Sequence, residues 1–345
     1  MQQDVVSRKD ERSQERMPGE PRPSRNIGLD LVRVTEAAAM RAGRWIGSGN
    51  RNEAHRAATT AMTETFSEVD MDGRIVIGEE GRLGEGSPLD TGRIVGSGDG
   101  TPMDVVVDPI DGTELLIRGH PGAISLVGVA PRGSMRSLAP AVYMDKIVVD
   151  AEAAYALVPQ CMDAPAAWTL GLVARVKQKP VRDLTVIVLD RPRHEHLIEE
   201  IRESGARILL RDQGDAEGAL VAATAGTGVD LLLGIGGAAE GVIAACAVKA
   251  MNGAMLARLA PQSEEERAAV LGAGLDLDRI YTANDLVGGN QIFFSATSIT
   301  DSSLLSCVQY DGRHVETHSL LLRSQTRTRR FIRTRHLIDE EELTS

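Results

Sequence analysis

Apolar residues recur at helical spacing through residues 26–47 (NIGLDLVRVTEAAAMRAGRWIG). With a glycine at its end, this stretch predicts an amphipathic helix with a glycine stop. The same period runs through residues 52–71 by way of Ala54, Ala57, Ala58, Ala61, Met62 and Phe66, a second helix. The pattern then shortens to an apolar run, Arg74-Ile75-Val76-Ile77, which leads into Gly78-Glu79-Glu80 and predicts a strand that ends in acid. Residues 81–100 hold seven glycines, a composition that fits a mobile loop beside a site. A second run, Val105-Val106-Val107, stops at Asp108-Pro109-Ile110-Asp111-Gly112-Thr113. The valines favour a buried strand, Pro109 cannot continue a ladder and Asp-Gly turns the chain, so both aspartates are delivered together at a strand's end. Residues 123–130 and 146–149 read as further strands. The opening half is thus one α+β unit.

Around residues 159–172 the pattern loosens, which marks a junction. From Leu184 it alternates: strand 184–189, helix 194–204, strand 207–210, helix 216–225, strand 229–233. Alternation of this kind argues for a parallel sheet with right-handed crossovers and ligands at the strands' carboxyl ends. A chain of 345 residues is long for one core, so two α/β domains are expected. We read a metal-binding unit over residues 26–160, a substrate unit over 161–336 whose last strands can return to the first, a disordered tail over 1–25 and a second tail over 337–345.

Composition narrows the function classes. Apolar residues make up 42% and charged residues 25%, ordinary globular usage. Aromatic residues make up only 3%, which leaves little for stacking bases, and 38 basic against 49 acidic residues give a net charge of −11. That balance argues against non-specific binding to nucleic acid or an anionic membrane. Cys161, Cys246 and Cys307 are odd in number and lack CxxC spacing, so neither a disulfide framework nor a thiolate zinc site is expected. Residues 1–25 carry no apolar core of a signal peptide, and no later stretch offers the ~18 uninterrupted apolar residues of a membrane span. A reducing, cytoplasmic setting is expected.

The acidic strand ends carry the candidate chemistry. Glu79, Asp108 and Asp111 would repel one another unless cations sat between them, and all-oxygen ligands select Mg²⁺ or Mn²⁺. Gly234-x-Gly236-x-x-Ala239 formally matches a dinucleotide fingerprint, but no acid follows about twenty residues on to hold a ribose. A turn that offers backbone N–H groups to a phosphate, with Glu240 reaching a metal, accounts for it better. Arg191 and Arg193 stand at a helix start, where the dipole disfavours cations, and so point to an anion held between them. His194 and His196 are two apart on a helix, face different ways and read as surface residues. Arg323, Arg327, Arg329, Arg330, Arg333 and Arg335 read as one solvated face.

Asp108-Pro-Ile-Asp-Gly-Thr113 behind an apolar strand, preceded by Gly78-Glu79-Glu80, resembles the signature of the lithium-sensitive sugar and inositol phosphatase superfamily. Five further stretches point to one branch: residues 31–40, Asp190-Arg-Pro-Arg-His194, Gly234-Ile-Gly-Gly-Ala-Ala-Glu-Gly241, residues 294–300 and residues 317–323. Together they look like the bacterial class II fructose-1,6-bisphosphatases of the glycerol-operon type, some of which act on sedoheptulose 1,7-bisphosphate. The resemblance implies a two-domain, layered α/β/α/β/α sugar-phosphatase fold, a small-molecule sugar bisphosphate as substrate, and a homo-oligomer. It also implies two Mn²⁺ or Mg²⁺ ions on His55, Glu79, Asp108, the Ile110 carbonyl, Asp111 and Glu240. Catalytic positions fall on Glu79, Asp108 and Thr113, with Thr113 orienting the attacking water. Substrate positions fall on Asp111, Gly112, Thr113, Tyr143, Arg191, Pro192, Arg193, Gln213, Gly214, Asp215 and Gly237.

The chain departs from that pattern in ways that bear on activity. Relatives carry an aspartate ligand where His55 stands, and a neutral imidazole suits Mn²⁺ or Zn²⁺ better than Mg²⁺ while removing one negative charge. They also show Gly-Glu-Gly-Glu in place of Gly78-Glu79-Glu80-Gly81, and Asp-Gly-Asp in place of Gln213-Gly214-Asp215. Three readings follow: an active sugar bisphosphatase of central carbon metabolism, a phosphatase with altered metal or substrate in a specialised pathway, and a homologue that has lost catalysis and persists as a binding protein.

Overall fold

A computed structural model describes residues 27–79 and 86–338. The expectations for the first tail, for Glu80, for the start of the glycine-rich stretch and for residues 339–345 lie outside the described residues. Helix α1 (Ile27–Gly43) buries Leu31, Val34 and Ala38 on one face. Helix α2 (Arg51–Phe66) is opened by Asn50, whose side chain accepts from the Glu53 amide and satisfies one of the unpaired first-turn donors. It stops at Phe66, short of the expected 71, because Met71 already begins β1 (Met71–Ile77). There follow β2 (Ile94–Val95), β3 (Thr101–Asp111), α3 (Thr113–Arg118), β4 (Ile124–Pro131) and β5 (Tyr143–Val149).

The second part of the chain alternates as its pattern predicts: α4 (Ala166–Val176), β6 (Thr185–Leu189), α5 (Glu195–Glu203), β7 (Arg207–Arg211), α6 (Asp215–Ala222), β8 (Leu231–Gly237), α7 (Ala238–Ala250) and β9 (Ala254–Leu259). Then come α8 (Glu264–Gly272), β10 (Tyr281–Thr282), α9 (Ala283–Leu286), β11 (Phe293–Ser298), β12 (Gln309–Asp311), β13 (His314–Arg323) and β14 (Thr328–Leu337).

Two sheets result. The larger runs β12-β13-β11-β4-β3-β1-β2 with β14 paired to β13, and the smaller runs β10-β9-β5-β8-β6-β7. Strands from both ends of the described chain therefore meet in the larger sheet, where β11 pairs antiparallel with β4 from Phe293↔Val129 to Ser298↔Ile124. The smaller sheet is only partly parallel. β6 is parallel to β7 and β8, whereas β5 lies antiparallel to both β8 and β9. The α7 crossover keeps β8 and β9 in one direction, and β5, from the stretch read as part of the opening unit, fills the gap between them.

The sheets stack with helices as five layers. Leu31, Val34, Ala58 and Met62 of α1 and α2 pack on Val105, Val107 and Val127 of the larger sheet. Val242, Cys246 and Leu220 of α7 and α6 fill the space between the sheets, against Val106 and Leu126 on one side and Val148 and Leu232 on the other. Leu170, Val173 and Ile201 of α4 and α5 cover Val186, Val188 and Leu231 on the far face. This is the α/β/α/β/α order that the resemblance implies. Because β3 is covered on both faces, its valines read as a continuous apolar run rather than an alternating one. The arginines near the end do not share one face: β14 is an extended edge strand, so Arg329, Arg333 and Arg335 point opposite to Arg330.

Candidate active site

β3 carries the aspartates by a route the sequence does not suggest. The strand runs through Pro109 to Asp111, and its register with β4 slips between Asp108↔Leu126 and Asp111↔Ile124. Pro109 is tolerated because it sits in this bulge, where no ladder hydrogen bond is owed. The Asp108 carboxylate accepts from the Ile110 amide at 3.0 Å, which closes the bulge from within. Gly112 then turns at φ 83° and starts α3 with Thr113. Glu79, at the end of β1, is 1% exposed, and Asp108, Asp111 and Thr113 are 2%, 5% and 4% exposed. Burial pushes the Asp111 carboxyl well up, and the charges of Asp108, Glu240 and Asp215 push it further against the Glu217 amide that donates to it at 2.9 Å. Mutually repelling, buried oxygens of this kind suit a hard divalent cation. Among the described residues, no group of three or more His, Cys, Asp or Glu side chains is drawn together closely enough to enclose one.

His55, buried on α2, bridges two of these residues. Its Nε2 lies 2.7 Å from the Thr113 hydroxyl and its Nδ1 lies 3.3 Å from the Glu79 carboxylate. A carboxylate beside Nδ1 favours the proton there, which leaves Nε2 to accept from Thr113. The same hydroxyl stands 3.2 Å from the Ile110 carbonyl. A cation taking Nε2 would have to displace Thr113.

The opposite rim comes from the smaller sheet. A cavity of about 270 Å³ is lined by Asp111, Gly112, Thr113 and Glu240 on one side and by Tyr143, Arg191, Arg193, Gln213, Gly214, Asp215 and Gly237 on the other. Arg51 at the start of α2 and Gly236 also line it. His55, Glu79, Asp108 and Pro192 do not line this cavity. The arginines reach backbone carbonyls: Arg191 donates to those of Asp190 and Asp212, and Arg193 donates to that of Ile235 while lying over the Tyr143 ring. The glycine run is no turn, since β8 continues through Gly237 and α7 starts at Ala238. A Cβ at Gly237 would meet the Glu240 carboxylate and push that side chain from its present place.

Several residues escape a reading of the sequence. Lys146, fully buried on β5, pairs with Asp215 at 2.5 Å and neutralises a carboxylate on the site's rim. Glu217 pairs with Arg211 at the foot of α6, and burial, only partly offset by that arginine, pushes its carboxyl up to about 6. Lys146 is legible only as one of two adjacent charges, with Asp145, in an otherwise largely apolar strand, and Glu217 by nothing local. His194 is no surface residue: it is 2% exposed, whereas His196 is largely exposed as expected.

The chain matches the family described as bacterial fructose-1,6-bisphosphatase, glpX-encoded, over residues 25–336. It is 35% identical over 341 residues to a D-fructose 1,6-bisphosphatase class 2/sedoheptulose 1,7-bisphosphatase of Synechococcus sp. (strain JA-3-3Ab), covering 92% of this chain and 97% of the relative. It is 36% identical over 332 residues to a fructose-1,6-bisphosphatase class 2 of Haemophilus influenzae (strain ATCC 51907 / DSM 11121 / KW20 / Rd), covering 92% and 98%.

Proposed function

The chain belongs to the glpX-encoded bacterial fructose-1,6-bisphosphatase family, and from that premise we propose that it hydrolyses the 1-phosphate of fructose 1,6-bisphosphate, releasing inorganic phosphate and the sugar monophosphate. The observation that carries this reading is the cavity with the carboxylates of Asp111 and Glu240 and the Thr113 hydroxyl at one rim and Arg191 and Arg193 at the other. In this reading the arginines hold the distal phosphate, and fixing that end sets the reacting phosphate in register over β3. Thr113 gives its one hydroxyl proton to His55, with the Ile110 carbonyl 3.2 Å away as the alternative acceptor, and its oxygen is left to accept from the attacking water and orient it. Lys146 holds the Asp215 carboxylate in place to accept from sugar hydroxyls. Glu79, Asp108, the Ile110 carbonyl, Asp111 and Glu240 would hold divalent cations, which when bound neutralise the phosphoryl oxygens and lower the barrier to in-line attack.

Mn²⁺ or Mg²⁺ as the ion, sedoheptulose 1,7-bisphosphate as a second substrate, and a cytoplasmic, homo-oligomeric enzyme complete the proposal. Among the described residues no helix is long and apolar enough to cross a membrane. The edge strand β14 leaves Phe331 48% and Leu337 66% exposed, which supports assembly. Metal binding belongs to the part built on the larger sheet and substrate recognition to the part built on the smaller.

A panel of sugar bisphosphates with Mg²⁺, Mn²⁺ and Zn²⁺, read by phosphate release, tests the proposal. Turnover of fructose 1,6-bisphosphate with at least one ion is expected, and no release from any pair overturns it. His55 favours a second reading, altered metal preference, because it places nitrogen where relatives carry a carboxylate. His55→Asp should shift preference toward Mg²⁺, and an unchanged preference removes His55 from metal selection.

A further inference from the structure

His194 holds two backbone groups of different chain segments at once. Its Nδ1 lies 2.7 Å from the Leu189 carbonyl, at the end of β6, and its Nε2 lies 2.8 Å from the Ile235 amide nitrogen, in β8. A carbonyl only accepts and an amide N–H only donates, so the proton is on Nδ1 and Nε2 is bare. The ring is therefore neutral with both nitrogens satisfied. The carbonyl of the same residue, which belongs to the next peptide unit, is gripped by the neighbouring residue: the Ile235 carbonyl accepts from Arg193 Nη2 at 2.9 Å and Nε at 3.3 Å. One turn thus holds both backbone polar groups of Ile235, its N–H and its C=O. Gly234 makes room for the ring, since a Cβ there would stand 2.9 Å from Nε2, and its φ of 121° favours glycine.

We infer that His194 is a positioning residue for the reaction, a bolt that anchors the β8 backbone at Ile235 and through it the guanidinium of Arg193 at the rim of the site. The inference rests on the fructose-bisphosphatase reading, in which Arg193 holds the distal phosphate. With its amide bonded to His194, Ile235 is anchored in β8 beside the turn, and its carbonyl orients Arg193. Arg193 lines the cavity at the rim away from β3, so the bolt acts on substrate grip rather than on chemistry at β3. Charged and titratable groups surround the ring: Arg193 on its own turn, Asp215 of α6, Asp145 and Lys146 of β5, and His196 and Glu200 of α5; of these Asp145, Arg193, His196 and Glu200 line a second cavity of about 210 Å³ that His194 also lines. Burial is the largest influence and holds the imidazole pKa below its ordinary value, with Arg193 and Lys146 acting in the same sense against the Leu189 carbonyl and Asp215.

The test uses the full chain in three forms, wild type, His194→Asn and His194→Gln, with fructose 1,6-bisphosphate turnover and hydrogen–deuterium exchange as readouts. Asparagine reaches only as far as Nδ1 and keeps the Leu189 bond, whereas glutamine reaches the place of Nε2 and can accept from Ile235. His194→Asn should raise KM about tenfold, the cost of leaving a buried amide unpaired, with kcat within about twofold. It should also speed exchange in the peptide spanning residues 231–237. His194→Gln should recover most of both changes. A folded His194→Asn chain with wild-type KM and exchange overturns the inference, and so does a loss confined to kcat or an equal effect of the two variants. Should His194→Asn not fold, the comparison of His194→Gln with His194→Met, which fills similar volume with only a weak acceptor, decides in its place. If the wild type releases no phosphate, the functional reading fails, while the exchange comparison still decides whether His194 bolts Ile235.

Discussion

The two rims of the site are held in different ways. On the larger sheet, Glu79, Asp108, Asp111 and Thr113 are buried and contact one another's neighbours through side chains: His55 to Thr113, His55 to Glu79, Asp108 to the Ile110 amide. On the smaller sheet, Arg191 and Arg193 are half-buried and spend their donors on backbone carbonyls of Asp190, Asp212 and Ile235. The first rim keeps like charges out of water, at a cost that a bound cation relieves. The second keeps its charges partly hydrated and borrows rigidity from the strands behind it. Substitutions at the first rim should therefore strike the chemical step, and those at the second should strike affinity.

The largest effect tests the first rim. Asp108→Asn should lower kcat/KM by about 10³-fold or more with an unchanged circular dichroism spectrum, and a normal rate would remove the β3 bulge from the mechanism. Next comes the foundation of the second rim. Lys146→Met leaves Asp215 as an uncompensated, nearly buried charge and should cost about 3 kcal/mol in chemical denaturation, most of it restored when Asp215→Asn is added. An undiminished stability would show that the pair is not what holds the rim together.

Smaller effects sharpen the contrast between the rims. Arg193→Ala should raise KM about 30-fold, about 2 kcal/mol, and leave kcat within a few-fold, so a drop in kcat alone would merge the two rims into one function. His194 adds a pH term. Its folded pKa lies below the ordinary 6.5, so the unfolded chain binds more protons between the two values and stability rises with pH there. The stabilisation is whole above about pH 6.5 and fades below it, so the stability gap between wild type and His194→Gln should narrow on acidification. A gap that is flat across that window would mean that His194 is not held neutral. Arg333→Ser, on the exposed edge strand β14 and away from both rims, should change stability by less than about 0.5 kcal/mol and leave KM unaltered.

What the sequence discloses follows the same division. Asp108, Asp111 and Thr113 are legible because one short run supplies strand, bulge and turn, so their joint delivery is a local matter. The alternation from Leu184 discloses helices and strands but not that β5 enters between β8 and β9, because antiparallel insertion leaves no mark on period. His194 reads as a surface residue because its two partners, Leu189 and Ile235, lie on separate strands and are backbone atoms, which any residue type carries. Lys146 and Glu217 fail for the same reason: Asp215 and Arg211 become their partners only once β5, α6 and β7 are side by side. His55 is located by its resemblance to relatives, yet its bridge between Glu79 and Thr113 is visible only in three dimensions.

The interleaving of the larger sheet sets an order of events during translation. β5 to β10 supply the whole smaller sheet and can close as soon as they leave the ribosome, whereas β1 to β4 wait for β11 and β13. Until then the inner face of α1, with Leu31 and Val34, lacks two of the strands it packs on, β11 and β13, and the β4 edge stands open. The nascent amino-terminal half is thus the aggregation-prone party of the newborn chain, and its capture by β11 is the step that a ribosome-associated chaperone would have to protect.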